Sequence, residues 1–143
     1  MKLLELRIKG FRSFCTEQTL DFSVLEPGLY HVSGKNIVEP ELEANGVGKS
    51  TLFESVFWAF YGKTSRNLRA GSIKNWGCEK NCRVQLAFEQ HDKIYSLVRT
   101  WSPNRLTLQT EDNRPEEILQ EKLEELIGLA PEAFLCAIYF AQL

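Results

Sequence analysis

The N-terminal Met-Lys-Leu-Leu-Glu-Leu-Arg-Ile alternates as a half-buried strand does, which predicts a strand over residues 3–9. Gly10 to Ser13 reads as a turn, and residues 14–22 as a second strand carrying Phe14, Thr16, Thr19, Leu20 and Phe22. Gly28 to Gly34 is a short apolar run bounded by glycines, which predicts a buried third strand. The period then changes. Leu52, Phe53, Val56, Phe57 and Phe60 recur at helical spacing, predicting a helix that starts at Lys49 and stops at Gly62. Residues 63–77 are polar, glycine-bearing and basic, and read as loop. Arg83–Glu89, Ile94–Trp101 and Arg105–Thr110 alternate again and are joined by short gaps, which predicts an antiparallel meander. Pro115 opens a helix with Ile118, Leu119, Leu123, Leu126 and Ile127, ended by Gly128.

A chain of 143 residues fits one domain, and 43% hydrophobic with 25% charged residues is the composition of a soluble globular protein. The net charge of −2 argues against broad attraction to nucleic acid. Neither a signal peptide nor a membrane-length apolar run is present, so the expected location is the cytoplasm, with no membrane partner. Reduced thiols are the expectation for Cys15, Cys78, Cys82 and Cys136 in that compartment. The Cys78–Cys82 spacing suits zinc, but only His31 and His91 remain as imidazoles, so a turn is the expected role. Arg66, Arg69, Lys74 and Lys80 near Trp76 form a loose basic stretch, read first as a solvated face and second as a phosphate contact; Arg99 reads as structural. The run from Phe134 to Leu143 is almost continuously apolar. It predicts either a chain cut from something longer or a buried C-terminal helix.

The densest chemistry lies at Asn45-Gly46-Val47-Gly48-Lys49-Ser50-Thr51. Glycines let backbone N–H groups converge on a polyphosphate, a lysine at this spacing reaches its terminal phosphates, and the serine hydroxyl ligates Mg²⁺. A helix beginning at Lys49 also aims its positive end at the phosphates. Strand, glycine turn and helix together predict an α/β (α+β) P-loop NTPase fold. Glu43 stands where the full motif has its first glycine. Gly34 is the expected substitute, with residues 36–44 as an insertion in the loop. The acid that normally holds metal or polarises water at the end of an apolar strand is not found: Leu86-Ala87-Phe88-Glu89 comes nearest, inside an alternating strand.

Leu6-x-Ile8-x-Gly10-Phe11-Arg12-Ser13-Phe14, the Asn45–Glu54 segment, Ala59-Phe60-Tyr61-Gly62-Lys63 and Phe134–Gln142 together resemble the N-terminal lobe of SbcC/Rad-fifty-type SMC-like DNA repair ATPases. Ala70–Gly77 and the long insertion are more similar to phage recombination endonuclease subunits. The resemblance implies an ABC-ATPase head whose N-terminal lobe, residues 1–143, stops at the Q-loop. It implies ATP and Mg²⁺ as cofactors, with Lys49 and Gln142 catalytic and Ser50 and Gln142 at the metal. Arg12, Ser13, Asn45, Gly46, Val47, Gly48, Lys49, Ser50 and Thr51 would bind the nucleotide. The implied partners are the C-terminal lobe of the same head, a second head in a homodimer, an SbcD-like nuclease and DNA. The missing acid would then lie in the C-terminal lobe. Alternatives are a RecF-, RecN- or SMC-type ATPase without a nuclease, a self-contained P-loop kinase, or a nucleotide-binding module without catalysis.

Overall fold

The computed structural model describes residues 1–37, 40–42, 47–67, 72–75, 77 and 82–137. Six strands form one antiparallel sheet in the order β2-β1-β3-β4-β5-β6. They are β1 (Lys2–Lys9), β2 (Gln18–Asp21), β3 (Cys82–Gln90), β4 (Lys93–Trp101), β5 (Arg105–Thr110) and β6 (Glu116–Glu117). Three helices complete the fold: α1 (Lys49–Tyr61), α2 (Gln120–Ile127) and α3 (Pro131–Ala137).

Alternation decides which face of the sheet is covered. Leu6 and Ile8 of β1, Val84, Leu86 and Phe88 of β3, and Leu97 of β4 are all fully buried, while their sequence neighbours are not. Helix α1 lies on that face and is buried almost all round from Val56 to Tyr61, so it is a core helix and not a surface stripe. Phe60 meets Phe88 edge-on at 5.4 Å, and Phe134 of α3 packs against Phe57, Phe60 and Tyr61 at 5.9, 5.9 and 5.5 Å. Aromatic pairs of this geometry add roughly 0.5–1.5 kcal/mol each beyond their buried area.

The C-terminal end of α1 is closed by a side chain from the sheet. Arg99 of β4 faces inward and is 6% exposed. Its Nε donates to Ala59 O at 2.9 Å, its Nη2 to Phe60 O at 3.3 Å, and Nη2 also to Gln120 Oε1 at the start of α2. Gln120 Nε2 donates to the same Phe60 O at 2.9 Å. Arg99 therefore serves as the structural residue that the sequence leads one to expect. Burial pushes its guanidinium down to about 10, with Glu124 opposing that shift, so it stays charged at neutral pH. Gly62 follows in the left-handed region at φ 69°, where a Cβ would crowd Arg99 Nη1.

Four sequence expectations change. Gly28 to Gly34 is not a strand but exposed chain, with Leu29 fully exposed and Tyr30 half exposed. A strand needs a neighbour for its N–H and C=O groups, and the sheet edges at β2 and β6 do not reach this run. The second strand is shorter than residues 14–22, because Phe14 belongs to the preceding turn and donates its N–H to Phe11 O at 2.9 Å. Pro115 does not open a helix. Residues 116–117 pair with β5, and Ile118 donates to Leu106 O at 2.9 Å, so the sheet holds this segment extended until α2 begins at Gln120. Gly128 does end α2, its N–H donating to Glu124 O. Finally, Cys15 is disulfide-bonded, whereas Cys82 and Cys136 are free thiols. Burial in β3 pushes the Cys82 thiol up to about 12, which makes it unreactive at neutral pH. Among the described residues no helix is long and apolar enough to cross a membrane.

Candidate functional site

The first turn of α1 carries the motif. Gly48 precedes the helix at φ 91° and ψ 10°, a left-handed conformation that admits glycine at little cost. No side chain caps this helix end, and no acidic residue occupies its first turn. The positive end of the helix dipole at this terminus is therefore not offset by a first-turn carboxylate. Lys49 is the first helical residue, Ser50 is exposed, and Thr51 is buried, as the helix expected at this position requires.

A turn from the far end of β1 closes on the same spot. Gly10 N–H donates to Cys15 O at 3.2 Å, and Arg12 takes a positive φ of 46°. A non-glycine residue there stores roughly 1–3 kcal/mol. The result places Phe14 and Ser13 on Gly48: a Cβ at Gly48 would lie 3.0 Å from Phe14 Cζ and 3.5 Å from Ser13 Cβ. Ser13 Oγ lies 3.4 Å from Thr51 Oγ1. So Arg12, Ser13, Val47, Gly48, Lys49, Ser50 and Thr51 share one region of the fold. Asn45, Gly46 and Gln142 lie outside the described residues, as do Arg69, Trp76, Cys78 and Lys80.

Gly34, the glycine read as standing in for the motif's first, lies against the residue before Gly48. Gly34 packs directly on Val47, and a Cβ at Gly34 would overlap the Val47 side chain. Residues 34 and 47 are thus adjacent in space, and a short 3₁₀ turn occupies Pro40–Leu42. Gly34→Ala is expected to push Val47 away and weaken Mg·ATP binding severalfold, with little change in thermal midpoint because both residues sit outside the core. Val47→Ala in the same chain should restore much of the affinity by relieving the overlap. A titration with a fluorescent ATP analogue checks both.

Three contributors escape a reading of the sequence alone. Phe14 looks like a strand residue, Val47 gives no sign that it packs on Gly34, and Asn75 sits in what reads as charged loop. Asn75 Nδ2 donates to Arg12 O, and its backbone N–H donates to Gly10 O at 2.8 Å. A buried carboxylate on α1 has a separate structural task. Glu54 accepts from the Ser65 N–H at 3.1 Å and from the Ser65 hydroxyl, tying the loop after α1 to the helix. No cluster of three or more His, Cys, Asp or Glu suited to a metal occurs among the described residues.

Known proteins resemble this chain along most of its length. Exonuclease subunit 2 of Escherichia phage RB69 is 33% identical over 95 residues, 63% of this chain and 17% of that protein. The DNA double-strand break repair Rad50 ATPase of Methanocaldococcus jannaschii is 28% identical over 99% of this chain and 13% of its own length. The SbcC component of the nuclease SbcCD of Deinococcus radiodurans is 27% identical over 99% of this chain and 16% of its own length. The chain therefore spans less than a fifth of these relatives. In fold it is similar to the SMC head domain from Thermotoga maritima, with a TM-score of 0.51 at 16% identity over 87% of this chain and 41% of that one. The recombination mediator RecF is similar to the same degree, with a TM-score of 0.51 at 17% identity over 82% of this chain and 28% of that one. The fold is accordingly that of these two proteins' corresponding regions. With residues 5–140 matched, the chain belongs to the AAA domain family AAA_23.

Proposed function

We propose that this chain is the ATP-binding lobe of an SMC-like ATPase that partners an SbcD-type nuclease in processing DNA double-strand breaks. The first turn of α1 carries the reading: a left-handed glycine, then Lys49, Ser50 and Thr51 on an uncapped helix end, with the Arg12–Phe14 turn against it. Hydroxyls, a lysine and backbone N–H groups without a nearby first-turn carboxylate make a donor set that suits Mg·ATP. In this reading Lys49 holds the β/γ-phosphates, Ser50 ligates Mg²⁺, and N–H groups from Gly46 to Thr51 cradle the phosphates. Arg12 and Ser13 lie beside the nucleotide, and Gln142 reaches the metal or the attacking water. Bound Mg²⁺ supplies charge neutralisation across the β- and γ-oxygens.

The names of the relatives support a nuclease partner and DNA as the object of the assembly. The exposed run around Leu29, Tyr30 and Val32 supports a C-terminal lobe as partner, since apolar, unpaired backbone gains most from a strand laid beside it. A second head completes the ATP site in this proposal, and the assembly works in the cytoplasm, that of the host if the chain is phage-encoded. In the same proposal residues 1–143 form one lobe that stops at the Q-loop, and residues 36–44 are an insertion. The likeness to the SMC head and RecF favours one other reading, a repair ATPase of that kind without a nuclease. The kinase-like alternative lacks a catalytic acid.

Turnover measured beside equilibrium binding separates these. The chain alone should bind Mg·ATP and hydrolyse none, and hydrolysis should appear only when a C-terminal lobe is added. Robust turnover by the chain alone would sink the half-site reading.

A further inference from the structure

We infer that Asn75 is a positioning residue for the nucleotide site, acting through Arg12. The inference rests on the ATP-site reading above. Arg12 occupies a left-handed backbone conformation, which a side chain of this kind rarely adopts and which persists only where the surroundings over-determine it. Residues 73–75 supply that constraint. Arg12 N–H donates to Ile73 O at 2.8 Å, and Arg12 O accepts from Asn75 Nδ2, so both peptide groups of the strained residue are held by one short segment. Asn75 N–H on Gly10 O ties the same segment to the start of the turn. The carboxamide is itself oriented, because its Oδ1 accepts from Gly77 N–H at 2.8 Å, leaving the amide nitrogen to face Arg12.

The route from Asn75 to the phosphate loop is then short. Asn75 fixes the Arg12 peptide, and the Arg12–Phe14 turn fixes the direction of the guanidinium. The same turn seats Ser13 and Phe14 on Gly48 and Thr51. Without the Asn75 donor, Arg12 relaxes toward negative φ and its side chain leaves the site. Asn75 touches no nucleotide in this scheme.

The test uses the full chain and Mg²⁺ with a fluorescent ATP analogue, and Lys49→Ala and Arg12→Ala as reference variants. Asn75→Ala removes both side-chain bonds. Asn75→Asp keeps the acceptor for Gly77, replaces the donor to Arg12 O by a charged carboxylate oxygen, and stands in should the alanine variant fail to fold. Each is expected to raise Kd about tenfold, the worth of one buried hydrogen bond. In an Arg12→Ala background the same change should add less than about twofold, since the two act as one unit. A merely structural role would give the same loss in both backgrounds, and that result overturns the inference. Parent-like binding by both Asn75 variants, with Arg12→Ala and Lys49→Ala impaired, overturns it and leaves the ATP site standing. Parent-like binding by Lys49→Ala removes the site and the inference together.

Discussion

Lys49→Ala abolishes Mg·ATP binding by this chain, a loss of about a hundredfold or more, and leaves the unfolding midpoint within about 2 °C of the parent. The two halves of that expectation have separate causes. Lys49 is the first residue of α1, at a helix end with no side-chain cap, so its ammonium and the helix dipole act on the same anion. Charge-assisted contacts to phosphate contribute more than neutral ones, and removing one leaves the phosphate's own desolvation uncompensated. The core, by contrast, draws on Leu52 and on Val56 to Tyr61, and alanine is the best helix former. Binding by calorimetry and unfolding by circular dichroism, on the same samples, test both halves. Parent-like affinity would mean that phosphate does not sit at this helix end; loss of folding would mean that Lys49 supports the fold instead.

Arg99→Met is expected to have the largest effect on stability. The guanidinium occupies the junction of the sheet, the end of α1 and the start of α2, donating to Ala59 O, Phe60 O and Gln120. Methionine matches the aliphatic stem but donates nothing. Gln120 Nε2 still serves Phe60 O and Glu124, so the groups left without the donor that Arg99 gave them are Ala59 O and Gln120 Oε1. Two such losses cost roughly 3 kcal/mol, or about 10 °C in midpoint for a chain of this size. Arg99→Lys should rescue little, because one ammonium cannot fork between carbonyls as the planar guanidinium does. A midpoint unchanged in Arg99→Met would show that the apolar stem is what matters, and that neither the hydrogen bonds nor the guanidinium's place over the Trp58 ring, 5.9 Å away, does.

The elements most legible in the sequence are those whose pattern is local. Apolar spacing from Leu52 to Phe60 with Gly62 beyond it predicts α1, and the alternation through Arg83–Thr110 predicts three strands that the structure places side by side. The inward position of Arg99 was open to the same logic, since it shares a strand face with Tyr95 and Leu97. What fails is whatever depends on a distant neighbour. Gly28–Gly34 has a strand's composition, but pairing is a property of two segments, and no local pattern says whether the second is there. Pro115 resembles a helix start until β5 claims the residues after it. At the site, the motif marks Lys49, Ser50 and Thr51 and the sequence reading adds Ser13 and Gly34, while the seat of Phe14 on Gly48 joins positions far apart and leaves no trace in spacing.

The pairing of β1 with β3 has a consequence for how the chain is made. Ile8 lies opposite Val84, so β1 waits for a strand that leaves the ribosome about 75 residues after it. At common synthesis rates that is roughly ten seconds, far longer than a hairpin needs to form. The β3–β4–β5 meander can fold locally once it emerges, whereas Leu6 and Ile8 stay uncovered throughout. The whole phosphate loop and α1 lie inside the loop of chain that this pairing closes. The first turn of α1 is thus fixed late, on a template built from residues that follow it, and the early chain is the stretch that most needs a chaperone.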